Sequence, residues 1–196
     1  MLAYGVNPLR DGVLYWYPDF LPPETAMAWQ QQLTAQIPWR QETIRLFGRW
    51  VEQPRLVAWF GALAYRYSGL TLPACAPPDW LMPLWRACEQ RAGQRFNGLL
   101  LNRYRHGQDS MGWHADDEPE LGREPVIASL SLGQVRRFAL KHRDGGERLS
   151  QELPSGSLLV MAGALQHHWL HALPKTRRPC VERINLTFRY LYSSPV

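Results

Sequence analysis

From Phe96 onward the chain is a series of short extended runs, and no other feature limits the fold as strongly. The runs are Phe96–Tyr104, Trp113–Asp117, Val126–Leu132, Arg137–Lys141, Arg148–Leu153, Ser157–Met161, Trp169–Leu173 and Arg183–Tyr190. Turn signals separate them at roughly eight to twelve residues, the spacing of an antiparallel sandwich or jelly roll. The last run alternates cleanly. Ile184, Leu186 and Phe188 fall on one face, and Arg183, Asn185, Thr187 and Arg189 on the other. On a solvated outer face this would be an ordinary polar stripe. Inside a jelly-roll cavity it would be a dicarboxylate site, because arginine's planar fork suits carboxylates and each charge-assisted bond contributes about 1.5–3 kcal/mol. Asn102 and Tyr104, also two positions apart, can form a second polar wall.

The N-terminal half reads differently. Residues 1–20 show no regular period, and Tyr15, Trp16, Tyr17 and Phe20 read as an aromatic patch packed on the domain. Pro22-Pro23-Glu24 predicts a helix to about Gln36, with Met27, Leu33 and Ile37 on its inner face and Pro38 stopping it. Residues 43–47 and 49–51 flank Gly48, which predicts a hairpin with Phe47 at its tip between Arg45 and Arg49. Such a hairpin could hold phosphates and wedge into a base stack, or could be a plain surface hairpin. Tyr65 and Tyr67 share a face if extended, as a base sandwich or a cross-strand pair. The proline-rich residues 70–79 read as a loop. Trp80 to Ala92 reads as a second helix with Leu81, Leu84, Trp85 and Cys88 inward. The expected organisation is an N-terminal extension and lid over residues 1–95 and a core over residues 96–196, forming one compact unit.

Composition narrows the class. At 196 residues and 45% hydrophobic, the chain can bury one good-sized core. No apolar run approaches the roughly 18 residues of a membrane span, and the N-terminus does not read as a signal peptide. Cys75, Cys88 and Cys180 are odd in number and scattered, which suits reduced thiols in a cytoplasm-like compartment, nuclear in a eukaryote. A net charge of +5 suits a nucleic-acid partner. The expectation is a monomer acting away from membranes.

The reactive residues centre on Met111-Gly112-Trp113-His114-Ala115-Asp116-Asp117-Glu118. On an extended segment His114 and Asp116 point to one side and can hold one ion. Two histidines and one carboxylate make the facial triad of a non-haem Fe(II) oxygenase. A third ligand has three candidates, His167, His168 and His171, and spacing alone does not choose among them.

Taken together, Asn102-x-Tyr104, His114-x-Asp116-Asp117-Glu118, His171-Ala172-Leu173-Pro174 and Arg183-x5-Arg189 resemble the AlkB-type Fe(II)- and 2-oxoglutarate-dependent nucleic-acid demethylases. The resemblance covers nearly the whole chain and is nearest to the branch that repairs duplex DNA. It implies a mainly β fold with flanking helices: a double-stranded β-helix, or jelly-roll, core with an N-terminal nucleotide-recognition lid. It selects His171 to complete an iron triad with His114 and Asp116. It assigns Asn102, Tyr104, Arg183, Thr187 and Arg189 to 2-oxoglutarate, with Asn185 on the same face. It implies that Tyr67 and His114 bracket a flipped base and that Asp117 and Glu118 lie near it. Phe47-Gly48-Arg49 matches an intercalating finger, and Tyr65 and Arg66 fall in the same recognition segment. The implied cofactors are Fe(II), 2-oxoglutarate and O2. The implied reaction removes methyl groups from bases such as 1-methyladenine and 3-methylcytosine in DNA, duplex or single-stranded, with RNA as a further substrate class. Formaldehyde, succinate and CO2 are the products. Phe60-Gly61-Ala62 departs from the family's frequent aromatic-Gly-Asp and removes a polar contact expected near the base. The rival readings are an oxygenase of the same fold acting on RNA, protein or lipid, and a lesion-binding module without catalysis.

Overall fold

The structure is a computed structural model describing residues 1–46, 48–67 and 69–193, apart from the side chains of Arg45, Leu46 and Tyr67. Its strands in chain order are β1 (Gly5–Leu9), β2 (Gly12–Tyr17), β3 (Thr43–Leu46), β4 (Arg49–Glu52), β5 (Leu56–Gly61), β6 (Tyr65–Tyr67), β7 (Leu70–Leu72), β8 (Gly98–Tyr104), β9 (Met111–His114), β10 (Ile127–Gly133), β11 (Arg136–His142), β12 (Arg148–Leu153), β13 (Ser157–Ala162), β14 (Trp169–Leu173) and β15 (Arg183–Arg189). Helices α1 (Pro23–Gln36), α2 (Met82–Ala92) and the short α3 (Leu165–His168) interrupt them.

Two antiparallel sheets make the jelly roll. The larger has the order β1-β2-β13-β10-β15-β8-β5, and the smaller β12-β11-β14-β9. The order of the larger sheet brings N-terminal strands to both of its flanks. Residues 1–95 therefore supply β1, β2 and β5 to the sheet that also carries β8, β10, β13 and β15.

Period-2 alternation explains the layering. Along β15, Ile184, Leu186 and Phe188 pack outward with Leu99 and Leu101 of β8 and Leu130 and Leu132 of β10 against α1 and α2. A second cluster fills the space between the sheets, with Ile127, Leu159 and Met161 meeting Phe138, Leu140 and Leu153. The polar face of β15 looks into that same interior, so it is a cavity wall and not a solvated stripe.

Three expectations for the N-terminal half change here. Residues 1–20 are not irregular: β1 and β2 form a hairpin pairing Gly5 with Trp16 and Leu9 with Gly12, and β2 pairs with β13. Pro8 weakened the strand pattern, but β1 is an edge strand, where a missing N–H costs no ladder bond. Asp11 makes the turn with φ 56°, a left-handed conformation that aspartate tolerates. On α1 the buried face is Ala26 and Leu33 followed by Ile37, while Met27 is 56% exposed. Ala26 is fully buried in the cluster between the helices and the sheet. Finally, the proline-rich stretch after Gly69 begins with β7, which pairs Leu70 with Tyr67 and Leu72 with Tyr65. No helix of the described residues is long and apolar enough to cross a membrane.

Leu186 is fully buried beneath the helices, between β10 and β8. Leu186→Ala should lower the unfolding free energy by about 2–5 kcal/mol in urea denaturation, the usual cost of a core leucine that leaves a cavity.

Candidate active site

The smaller sheet places the triad. β9 and β14 are neighbours, and His114 stands directly opposite His171 in the ladder. Their ring centroids are 4.2 Å apart, edge to face. β9 ends at His114, so Asp116 lies just beyond the strand, where its backbone N–H donates to Gln166 Oε1 at 3.0 Å. Asp116 Oδ2 lies 3.9 Å from His171 Nε2, and the ligand atoms of all three residues fall within 4.8 Å of one another. His114 Nδ1 bonds to the Gly112 carbonyl at 2.9 Å, which leaves Nε2 for the site.

The other two histidines are held elsewhere. His167 bonds to the Arg123 carbonyl through Nε2. His168 faces Asp11.

Electrostatics puts the three ligands in the protonation state that metal binding needs. Burial pushes the His171 imidazole down to about 3, with the adjacent His114 acting in the same direction. Burial also lowers His114, against the opposing pull of Asp116. Burial alone would raise Asp116, but Arg189, His171 and His114 together bring its carboxyl below the usual range. Two neutral imidazoles and one carboxylate result.

The larger sheet faces them with the polar side of β15. Asn185 Nδ2 donates to Ser129 Oγ at 2.8 Å and to the Leu130 carbonyl at 3.0 Å, and its Oδ1 accepts from Thr187 Oγ1 at 3.0 Å. Arg189 donates to Asp116 Oδ1 at 3.3 Å and to the Tyr65 hydroxyl. Arg183 is different. It is 2% exposed, donates to Ser131 Oγ at 2.9 Å and lies over the Tyr104 ring at 5.4 Å, yet no carboxylate of the described residues pairs with it. Its Nε has no hydrogen-bond partner there. Burial draws its guanidinium down to about 10, still protonated at neutral pH. A buried cation without a counter-ion is costly, so this end of the cavity is built for an anion. Asn102 and Tyr104 of β8 line the same cavity as the triad, and Arg55 Nε fixes Asn102 Oδ1 at 2.8 Å.

Comparison with known proteins gives the same reading. Residues 13–189 match the 2OG-Fe(II) oxygenase superfamily. The chain belongs to that superfamily, in its AlkB-type branch. Alpha-ketoglutarate-dependent dioxygenase alkB homolog 3 of Homo sapiens is 41% identical over 203 residues, covering 97% of this chain and 70% of that protein. The Bos taurus protein of the same name is 42% identical over 190 residues, covering 91% of this chain and 66% of its own length. DNA oxidative demethylase ALKBH2 of Arabidopsis thaliana is 39% identical over 206 residues, 90% of this chain and 65% of that protein. The chain thus spans about two thirds of the length of these relatives. The solved structure of OsALKBH1 superposes with a TM-score of 0.59 at 18% identity, covering 93% of this chain and all of that one, and shares the fold.

For a 2OG-Fe(II) oxygenase, which uses Fe(II), 2-oxoglutarate and O2, the donor set fits. Two neutral imidazoles and a carboxylate suit ferrous iron and leave coordination positions open. The unpaired Arg183 cation suits a dicarboxylate.

Several residues that support the site do so in roles the sequence did not indicate. Tyr65 is buried with Trp59 stacked on its ring at 4.8 Å and the Arg189 guanidinium 4.7 Å from its centroid. Those contacts make it a wall of the arginine site, with no free face for a base. Trp59 in turn lies across the paired glycines Gly61 and Gly98, where added Cβ atoms would meet its ring at 2.6 and 2.5 Å. Gln166 and Ser131, which position Asp116 and Arg183, come from α3 and β10. Arg55, another basic residue of the N-terminal half, is buried on Asn102.

The residues expected to meet nucleic acid are less gathered. Gly48 turns the β3–β4 hairpin with φ 80°, and Arg49 and Arg66 are exposed on their hairpins. Phe47 lies outside the described residues, as does the side chain of Tyr67. Asp117 pairs with Arg143 at 2.7 Å on the surface. Glu118 is partly buried, with Oε1 accepting from the Tyr65 hydroxyl at 3.2 Å. Burial and then the nearby Asp116 raise the Glu118 carboxyl to about 7.

If Arg183 is kept for a ligand, the ligand-free fold should not need its charge. Arg183→Met should leave the ligand-free protein as stable or stabilise it by about 1–4 kcal/mol in urea denaturation, as when buried charges give way to apolar side chains of similar size. A loss above about 2 kcal/mol would show that the fold already compensates the cation.

Proposed function

We propose that this chain is an oxidative demethylase of alkylated bases in DNA, acting by direct reversal on lesions such as 1-methyladenine and 3-methylcytosine. The observation that carries the reading is the His114–Asp116–His171 triad, its last two members buried, sharing one cavity with the unpaired Arg183 cation. Relatives at about 40% identity that carry the name DNA oxidative demethylase support the substrate class. When bound, iron with 2-oxoglutarate and O2 supplies the oxidation: one oxygen atom enters succinate, CO2 leaves, and the other hydroxylates the N-methyl group, which departs as formaldehyde.

The protein binds, orients and excludes water. His114, Asp116 and His171 hold the metal. Arg183, with Asn102 and Tyr104 beside it, receives the distal carboxylate of the cosubstrate. Asn185, Thr187 and Arg189 complete that wall. Arg189 also neutralises Asp116 from behind and keeps it ionised. Tyr67 and the ring of His114 bracket the flipped base, while Asp117 and Glu118 favour a cationic base over a neutral one. Methylation that blocks Watson–Crick pairing also lowers the few kcal/mol that flipping costs.

Residues 1–95 act as an N-terminal extension and nucleotide-recognition lid on the jelly-roll core of residues 96–196. Phe47-Gly48-Arg49 enters the duplex, and Arg49 and Arg66 meet phosphates, consistent with the net charge of +5. The enzyme works as a monomer inside the cell, where its substrate is.

An oligonucleotide carrying 3-methylcytosine, incubated with the protein, Fe(II), 2-oxoglutarate and air, should lose one methyl mass only in the complete mixture. Succinate formation without methyl loss would move the substrate to RNA or protein. Neither change would favour a binding module. In the same assay Arg183→Ala should raise the KM for 2-oxoglutarate about 10- to 100-fold, the equivalent of one or two lost charge-assisted bonds; an unchanged KM would place the carboxylate elsewhere. Phe47→Ala should reduce turnover of duplex substrate more than of single strands, and equal losses on both would remove the wedge role.

A further inference from the structure

We propose a second metal site, formed by Asp11, His142 and His168 and suited to a zinc-like divalent ion. It lies outside the cavity that holds the His114–Asp116–His171 triad, and none of its residues takes part in the reaction described above. Its ligands come from three elements distant in sequence: the β1–β2 turn, the end of β11 and the end of α3. Asp11 Oδ2 is 3.1 Å from His142 Nε2 and 3.8 Å from His168 Nδ1, and the three ligand atoms lie within 4.8 Å of one another. The two imidazole centroids are 5.9 Å apart. Zinc bonds of about 2.0–2.2 Å at tetrahedral angles put neighbouring ligand atoms about 3.3 Å apart, so small side-chain adjustments suffice.

Two ring nitrogens facing one carboxylate oxygen favour a cation between these atoms. His142 is 4% exposed, and its Nδ1 faces the Asp144 carboxylate at 2.7 Å. Its Nε2 faces Asp11 Oδ2 at 3.1 Å, an oxygen that Arg10 Nε also meets at 3.5 Å. A proton would serve the His142–Asp11 pair alone, whereas a metal ion also accounts for the approach of His168 to the same oxygen.

The surroundings resemble those of metal ligands generally. A histidine that binds metal commonly gives its other N–H to a carboxylate, the role Asp144 plays for His142. Asp144 is itself held by Arg10 at 2.5 Å and by the Gly146 N–H at 2.9 Å. Asp11 sits in the β1–β2 turn, which holds its carboxylate beside His142. Two carboxylates and one guanidinium leave the cluster with net negative charge when its imidazoles are neutral, and two imidazoles with one carboxylate suit zinc, nickel, cobalt or copper over calcium or magnesium. An ion here would tie the N-terminal hairpin to α3, three residues before His171.

The test is zinc stoichiometry on tag-free, full-length protein by equilibrium dialysis and metal analysis. His171→Ala disables the triad and should leave one equivalent of zinc. The double variant His168→Ala with His171→Ala should bind none and should lose the zinc-induced rise in Tm that His171→Ala alone shows. Both replaced His168 and Asp11 are surface-accessible, so Asp11→Asn in the same background gives an independent check on folded protein, with the same expected loss. Asp144→Asn, which touches no metal, should weaken zinc binding about 10- to 100-fold. Cobalt(II) should bind without a thiolate charge-transfer band; such a band would assign the ion to Cys75 or Cys180 and overturn the proposal. Equal zinc in the single and double variants, or no zinc in His171→Ala, would overturn it as well.

Discussion

The structure depends on one strand buried along both faces. All seven residues of β15 are inaccessible, although four of them are polar. Its apolar face needs only to fit beneath the helices. Its polar face must find a partner for each group within the protein, because buried polar atoms without hydrogen bonds are destabilising. Asn185 and Thr187 satisfy each other and β10, and Arg189 reaches Asp116 and Tyr65. Arg183 receives a serine and an aromatic face but no carboxylate among the described residues. The arrangement that completes the sheet therefore also leaves a buried cation facing the cavity.

What the sequence disclosed follows from this. Period-2 alternation is local, and β15, β8 and β10 could be read from it to within a residue or two. The two faces of β15 could be separated, but not their destinations: whether a polar face meets solvent or a cavity depends on the opposing sheet. The third ligand was ambiguous for the same reason. His167, His168 and His171 differ in position because β14 pairs with β9 at His171, and no spacing within the late segment records that pairing. The β1–β2 hairpin was hidden by Pro8, whose cost disappears only at a sheet edge.

The supports of the site were the least legible part. Trp59 stacks on Tyr65 because Gly61 and Gly98, on adjacent strands, leave room for an indole across the backbone. Neither glycine alone marks a site. Only their pairing makes a seat, and that seat fixes Tyr65, which bonds to both Arg189 and Glu118. Gln166 likewise looks like an ordinary polar residue until it is found fully buried, accepting the Asp116 N–H. Such residues act through contacts remote in sequence, where composition and period carry no information.

The site has two halves on two sheets. His114 and His171 belong to the smaller sheet, and Arg183 and Arg189 to the larger. Their separation is set by the packing between the sheets, where Phe138 lies 5.3 Å from the His171 ring and Met161 borders the same cavity. Protein interiors are packed at crystal-like density, so a change of volume at either position must move one sheet relative to the other or open a void. Arg189 limits that movement by joining the halves through Asp116. It lies on the large sheet yet neutralises a ligand of the small one, and so ties the charge state of the metal ligands to the distance between the sheets. Loosening the core would therefore affect the protonation of Asp116 as well as its position, which gives the hydrophobic layer between the sheets a direct part in the chemistry of the site.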